Sequence, residues 1–172
     1  MTAAEIREVL QKHKDWLFGK SDGCRADLRG ANLRDANLCG ANLYGADLRD
    51  AKNIDKVFAN MYTAFYPLQC PESGSFVGWK KAHGKIVKLE ITEEALRSSA
   101  TSRKCRCSEA RVIAIENVDG TNYGDTISSD HDPSFIYKVG ETVSVGNFDT
   151  NRWNECAPGI HFFITRKEAV DY

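Results

Sequence analysis

"ADLRGANLRDANLCGANLYGADLRD", Ala26 to Asp50, returns to Ala-(Asp/Asn)-Leu every five residues. A helix repeats every 3.6 residues and a strand every 2, so neither builds this pattern. A period of five suits a chain that turns a corner after each short extended side. The small Ala and the Leu then point inward, and the other three residues face out. Leu28, Leu33, Leu38, Leu43 and Leu48 form an apolar column that no single repeat can bury alone, so the turns must stack.

The pattern departs in "AKNID" (51–55), where Asn53 holds the Leu slot and Ile54 arrives one residue late. So short a block is expected to bury its far end on the remainder of the chain. Asp55–Tyr66, with Val57, Phe58, Met61, Tyr62, Phe65 and Tyr66, is the expected junction. Ahead of the repeat, residues 3–18 read as an amphipathic helix with Ile6, Val9, Leu10, Trp16 and Leu17 on one stripe. Thr2 is its N-cap, Glu5 the capping-box partner and Gly19 the stop. Its expected role is to cap the first rung.

Net charge is only −1 over 172 residues, which argues against a nucleic-acid binder. The charges are nevertheless segregated. Phe76–Arg106 holds eight Lys/Arg against three Glu, and Cys107–Tyr172 holds five basic against eleven acidic residues. The opening "MTAAEIREVLQKHKDW" lacks an apolar leader core, and no apolar run is long enough for a membrane span. The six cysteines are therefore expected to stay reduced in a cytoplasm.

After the boundary "PLQCP" (67–71) the sequence changes to short β-branched and aromatic runs bounded by Gly, Pro, Asn or Asp. "SFVGW", "GKIVKLEI", "ARVIAIENV", "SFIYKVGETVSV" and "GIHFFIT" predict strands. Helices are expected at "TEEALRSS" (92–99) and "TRKEAVDY" (165–172). The expected architecture is mainly β with α: a capping helix (1–20), the repeat block and junction (21–66), and an α+β domain (67–172).

"ALRSSATSRKCRCSEARV" gathers Arg97, Arg103, Lys104, Arg106 and Arg111 around one acid, Glu109, with Thr101 among its hydroxyls. Such a set suits a phosphate or carboxylate, or else a solvated basic edge that discourages strand pairing. Trp79 beside Lys80, and Trp153 beside Arg152, add aromatic faces on which a base stacks, or that belong to the core. Cys105-x-Cys107 lacks zinc-knuckle spacing, so no metal is assigned. His131 lies between Asp130 and Asp132, which would orient an imidazole; His161 alternates with Ile160 and Phe162 and reads as core or ligand contact. There is no phosphate loop, nucleophile elbow or His-Glu-x-x-His, so no catalytic residue and no cofactor is assigned.

The five-residue block resembles the pentapeptide-repeat family, and that resemblance implies a right-handed quadrilateral β-helix with four pentapeptides per turn. The chain as a whole is similar to small phage and prophage proteins with a capping helix, a short pentapeptide block and a C-terminal domain of unknown function. Matching stretches are "GSFVGWKK", "RSSATSRKCRCSEARV" and "NFDTNRWNECAPGIHFFITRKEAVDY". The resemblance implies a viral origin and carries over no catalytic residue. The expected function is sequestration of a small anionic ligand of the nucleotide class, countering host signalling. Trp79, Lys80, Arg97, Thr101, Arg103, Lys104, Arg106, His131, Arg152, Trp153 and His161 are its candidate residues. Two alternatives stay open: docking of a host or viral protein on the repeat face through Arg29, Arg34, Tyr44 and Arg49, and a nucleotide-processing enzyme using His131 or His161. Self-association also stays open.

Overall fold

The computed structural model describes residues 1–172 and divides into two compact units. The first comprises Met1–Gln69 with Ala100–Ser102 and Asn151–Glu155; the second comprises Cys70–Ser99, Arg103–Thr150 and Cys156–Tyr172. The division is thus not a single cut near residue 66, because two later segments join the repeat unit.

Helix α1 (Ala3–Leu17) opens the first unit. Its capping box is complete: the Thr2 hydroxyl accepts the Glu5 N–H at 3.3 Å, and the Glu5 carboxylate accepts the Thr2 N–H at 2.7 Å. Ile6 is buried with the Leu column, and Val9 and Leu10 pack beside it.

Each slot of the pentapeptide has a physical task. All five column leucines are buried, as are Ala26, Ala31, Ala36 and Ala46. The Asp or Asn ahead of each Leu turns its Oδ1 onto the backbone N–H two residues on, at 3.1 Å (Asp27), 3.2 Å (Asn32), 3.0 Å (Asn37), 2.9 Å (Asn42) and 3.2 Å (Asp47). The fifth slot takes positive φ at Gly30, Asp35, Gly40, Gly45 and Asp50. The next Ala N–H then closes onto the Leu carbonyl at 2.9–3.1 Å, as in a turn whose third residue is left-handed. Parallel bridges join Asp27 to Asp47, Asn32 to Lys52, Asn37 to Phe58 and Asn42 to Ala64. The chain therefore returns on itself after 20, 20, 21 and 22 residues. The lengthening begins at the irregular "AKNID", where Asn53 is left-handed and Ile54–Lys56 makes a 3-10 turn.

Ile54, Val57, Phe65 and Tyr66 join the Leu core, together with buried Trp153. Tyr66 faces Trp153 at 6.2 Å between ring centroids. Phe58, Met61 and Tyr62, expected at the same junction, instead point outward, with Met61 87% exposed. Phe58 is the bridge partner of Asn37, and Met61 and Tyr62 lie in the turn before the next bridge, Asn42 to Ala64. Ala100–Ser102 adds a rung: the Gly45 N–H meets the Thr101 carbonyl at 2.8 Å, and the Thr101 hydroxyl donates to the Ala46 carbonyl at 2.6 Å.

The second unit holds three antiparallel sheets. The largest runs β1 (Phe76–Ala82), β2 (Lys85–Ile91), β5 (Glu109–Glu116), β8 (Thr142–Ser144). The next runs β3 (Arg97–Ser99), β4 (Cys105–Cys107), β9 (Ile160–Phe162), and β6 (Thr126–Ser128) pairs with β7 (Ile136–Lys138). β1 and β2 are joined by His83-Gly84, both at positive φ, as a tight hairpin demands. Val87, Leu89, Ile91, Val112, Ile115 and Phe162 form the main core. On the other face Ile86, Phe163 and Ala169 pack beneath helix α2 (Arg166–Asp171), whose Thr165/Glu168 capping box is intact. Gly78 is obligatory: a Cβ there would lie 2.6 Å from the Phe162 ring.

Two local expectations are corrected. Residues 92–99 are not a helix; Thr92–Ala95 closes a turn, and Arg97–Ser99 becomes β3, paired with β4. The Arg97 guanidinium gathers the carbonyls of Thr92 (2.7 Å), Glu93 (3.1 Å) and Ala95 (3.2 Å), which fixes the turn that a helix would have to unwind. The basic stretch around β4 is no solvated edge either. β4 lies between β3 and β9, and Cys105, Arg106 and Cys107 are all buried. The chain is mainly β with few helices, and no helix is long and apolar enough to cross a membrane.

Candidate functional site

Strand β1 sets Lys80 on the inward face, between Gly78 and Ala82, at the margin of the core. Its ammonium lies 5.9 Å from the Tyr137 ring centroid. Burial lowers the Lys80 pKa, and neighbouring Lys104 adds to this, while Asp130 opposes it. Lys81, on the opposite face, donates to the Val170 carbonyl at 3.0 Å. Lys104, just ahead of β4, places its ammonium 3.7 Å from the Cys156 sulfur and 5.8 Å from the Tyr172 ring centroid. His161 sits mid-β9, half-buried, with Arg106 as its cross-strand partner.

These residues line one cleft of about 350 Å³: Lys80, Lys81 and Lys104, with His131 and His161, around Phe163 and Tyr172. The two aromatic rings stand 5.1 Å apart. Asp130 and Cys156 complete the lining. Asp130 does not brace His131; it accepts the His83 N–H at 2.8 Å and lies 3.1 Å from His83 Nδ1. Asp132 likewise turns to Ser134, accepting its N–H at 2.9 Å and its hydroxyl at 2.6 Å. The expected Asp-His-Asp orientation of the imidazole is therefore replaced by two carboxylates that stiffen the surrounding loop.

Of the eleven residues singled out in the sequence, the structure gathers Lys80, Lys104, His131 and His161 at this cleft. Arg97 binds carbonyls, including that of Gly74 at 2.9 Å, and stacks over Phe76 at 5.2 Å. Arg106, 1% exposed, holds the carbonyls of Pro158 (2.8 Å) and Asp149 (3.0 Å) and lies over Phe148 at 5.0 Å. Arg103 pairs with Glu168 at 2.7 Å. That pairing raises the Arg103 pKa; for Glu168 burial pulls upward, but the Arg103 and Thr165 bonds carry it below its usual value. Trp79 is half-buried, pairs its backbone with Phe163 and carries Lys88 over its ring at 5.3 Å. Thr101, Arg152 and Trp153 lie in the repeat unit, where Arg152 stacks on Trp153 at 4.3 Å.

The cleft also takes Lys81, Cys156, Phe163 and Tyr172, which sequence reasoning left out of the candidate set. The only available signal for Lys81 was its place beside Lys80; nothing in the sequence marks Cys156 or Tyr172. Cys105 and Cys107 are core thiols. The hydrogen bond with Cys70, then burial, raises the Cys105 pKa, and burial raises that of Cys107. No group of three or more His, Cys, Asp or Glu side chains is placed to hold a metal ion.

The pattern of pentapeptide repeats matches residues 24–52. A protein of Acanthamoeba polyphaga mimivirus, "Uncharacterized protein L223", is 38% identical over 96 residues, covering 51% of this chain and 61% of that protein. The match thus spans about three fifths of the viral relative's length. This relative supports the viral origin expected from the sequence, from a virus that is not named as a phage. No solved structure matches. The pattern of the family of unknown function DUF5758 covers residues 66–169, most of the chain and all of the lysine cleft except Tyr172, and the chain belongs to that family.

Proposed function

We propose that the second unit binds a small phosphate-bearing anion of the nucleotide class in the lysine cleft and holds it without changing it. The observation that carries this reading is the convergence of Lys80, Lys81 and Lys104 with His131 and His161 on one concave surface. Its carboxylate, Asp130, is held by His83. Lys80, Lys81 and Lys104 carry ammonium groups, charge-assisted partners for phosphate oxygens; Lys81 also gives an N–H to the Val170 carbonyl and Lys104 one to the Cys156 sulfur. The Phe163–Tyr172 pair supplies an apolar wall. A viral protein built this way removes a nucleotide from circulation in the host cytoplasm and so blunts host signalling. The repeat unit serves as scaffold, one short coil of a right-handed quadrilateral β-helix capped by α1. The test is incubation of the purified chain with linear, cyclic and NAD-derived nucleotides, filtration, heat release and mass spectrometry of both fractions. An intact nucleotide recovered only after heating supports sequestration. A new product makes the protein an enzyme, with His131 and His161 the first residues to replace.

A second reading rests on the exposed Phe58, Met61 and Tyr62 of the repeat unit. Three exposed apolar side chains within five residues suit a protein partner. Replacing all three by Ser would abolish partner capture and spare nucleotide binding; loss of neither ends this reading.

A further inference from the structure

The lysine cleft adjoins a second one, of about 300 Å³, and Lys80, His131 and His161 line both. The two differ in chemistry. The second adds no lysine or arginine; it adds Asp132 and an apolar wall of Phe135, Tyr137, Val145, Pro158 and Ile160. Phe135 and Tyr137 meet edge-on at 5.3 Å. Asp132 accepts both the N–H and the hydroxyl of Ser134 on Oδ1, which holds its carboxylate in place at the cleft margin. Each cleft alone is at the low end of small-molecule sites, which span roughly 300–1,000 Å³.

We propose that the two clefts form one two-ended site, taking a nucleotide with its phosphates on Lys80, Lys81 and Lys104 and its nucleoside against Phe135 and Pro158. This rests on the anion-binding reading above. The polarity follows from charge: a phosphate at the second cleft would meet the Asp132 carboxylate, whereas a sugar hydroxyl or a base N–H donates to it. The flat apolar face of a base suits Phe135, and the wall shared by the clefts puts Lys80 where sugar and phosphate join.

The experiment is calorimetric titration of the full chain with inorganic pyrophosphate and with the four common ribonucleoside 5′-diphosphates. At least one nucleoside diphosphate is expected to bind about tenfold or more tightly than pyrophosphate, the scale of a hydrogen bond to a charged group. Asp132→Asn, at an exposed position, is expected to narrow that gap severalfold, and Lys104→Gln to weaken pyrophosphate and nucleotide together. Equal affinity for pyrophosphate and all four nucleoside diphosphates would overturn the two-ended site and leave the anion site standing. No binding of either class at millimolar concentration would overturn the anion reading itself, and this inference with it.

Discussion

His13 is the most exacting residue of the repeat unit. It is 1% exposed and stacked on Trp16 at 5.4 Å, and its Nδ1 accepts the Ala26 N–H at 3.1 Å. An accepting Nδ1 is unprotonated, so this bond requires the neutral ring. Burial, and secondarily Arg25, lowers the His13 pKa from its usual 6.5. The unfolded chain therefore takes up the proton first as pH falls. The stability His13 contributes is full above pH 6.5 and is lost progressively below it, toward the lowered folded value. Asp27, held at about 2 by its Arg29 bonds, titrates far below that window. The melting temperature is expected to drop between pH 7.5 and 5.5, followed by circular dichroism. His13→Asn, which keeps an acceptor but cannot charge, is expected to remove most of the drop. An unchanged pH slope in the variant would show that another group controls it.

At the scale of the element, the pentapeptide is a set of backbone solutions at a fixed interval. The corner slot needs positive φ, and two of five corners meet it with Asp35 and Asp50 rather than Gly. A left-handed non-glycine residue costs roughly 1–2 kcal/mol, reduced for Asp and Asn by their local bonding. Gly40 has open space where a Cβ would go, so Gly40→Ala is a purely conformational test. It is expected to destabilise by about 1 kcal/mol in urea unfolding, and Asp35→Gly to stabilise by up to about 1 kcal/mol. Equal effects of both substitutions would mean that φ does not decide the corner. The inner slots are less forgiving. Leu38 is fully buried, and Leu38→Ala is expected to cost about 2–5 kcal/mol in the same measurement.

At the scale of the molecule, the exposed thiols divide between the units: Cys24 and Cys39 in the repeat unit, Cys156 in the lysine cleft. Bound pyrophosphate is expected to slow alkylation of Cys156 severalfold and leave Cys24 and Cys39 unchanged, read by peptide mass spectrometry. Added salt is expected to weaken the protection, since the cleft is open to screening ions. Equal protection of all three thiols would place the effect outside the cleft. The repeat, its inward residues and both capping boxes were legible in the sequence, because each depends on spacing within a few neighbouring residues. The helix expected at 92–99 failed because the Arg97 guanidinium, bonded to the Thr92 and Glu93 carbonyls and to the distant Pro71 and Gly74 carbonyls, and the β3–β4 pairing outweighed local propensity. The site was half legible. Lys80, Lys104, His131 and His161 stood out as residue types, but a cation reads the same in sequence whether it faces solvent, a carbonyl or a ligand. By itself the sequence determined a five-residue period that must stack, since only Ala and Leu recur in slots able to bury. Only the tertiary structure decided which cations are committed to backbone, as in Arg97 and Arg106, and which line a cleft, because strand pairing across distant segments sets where each side chain ends.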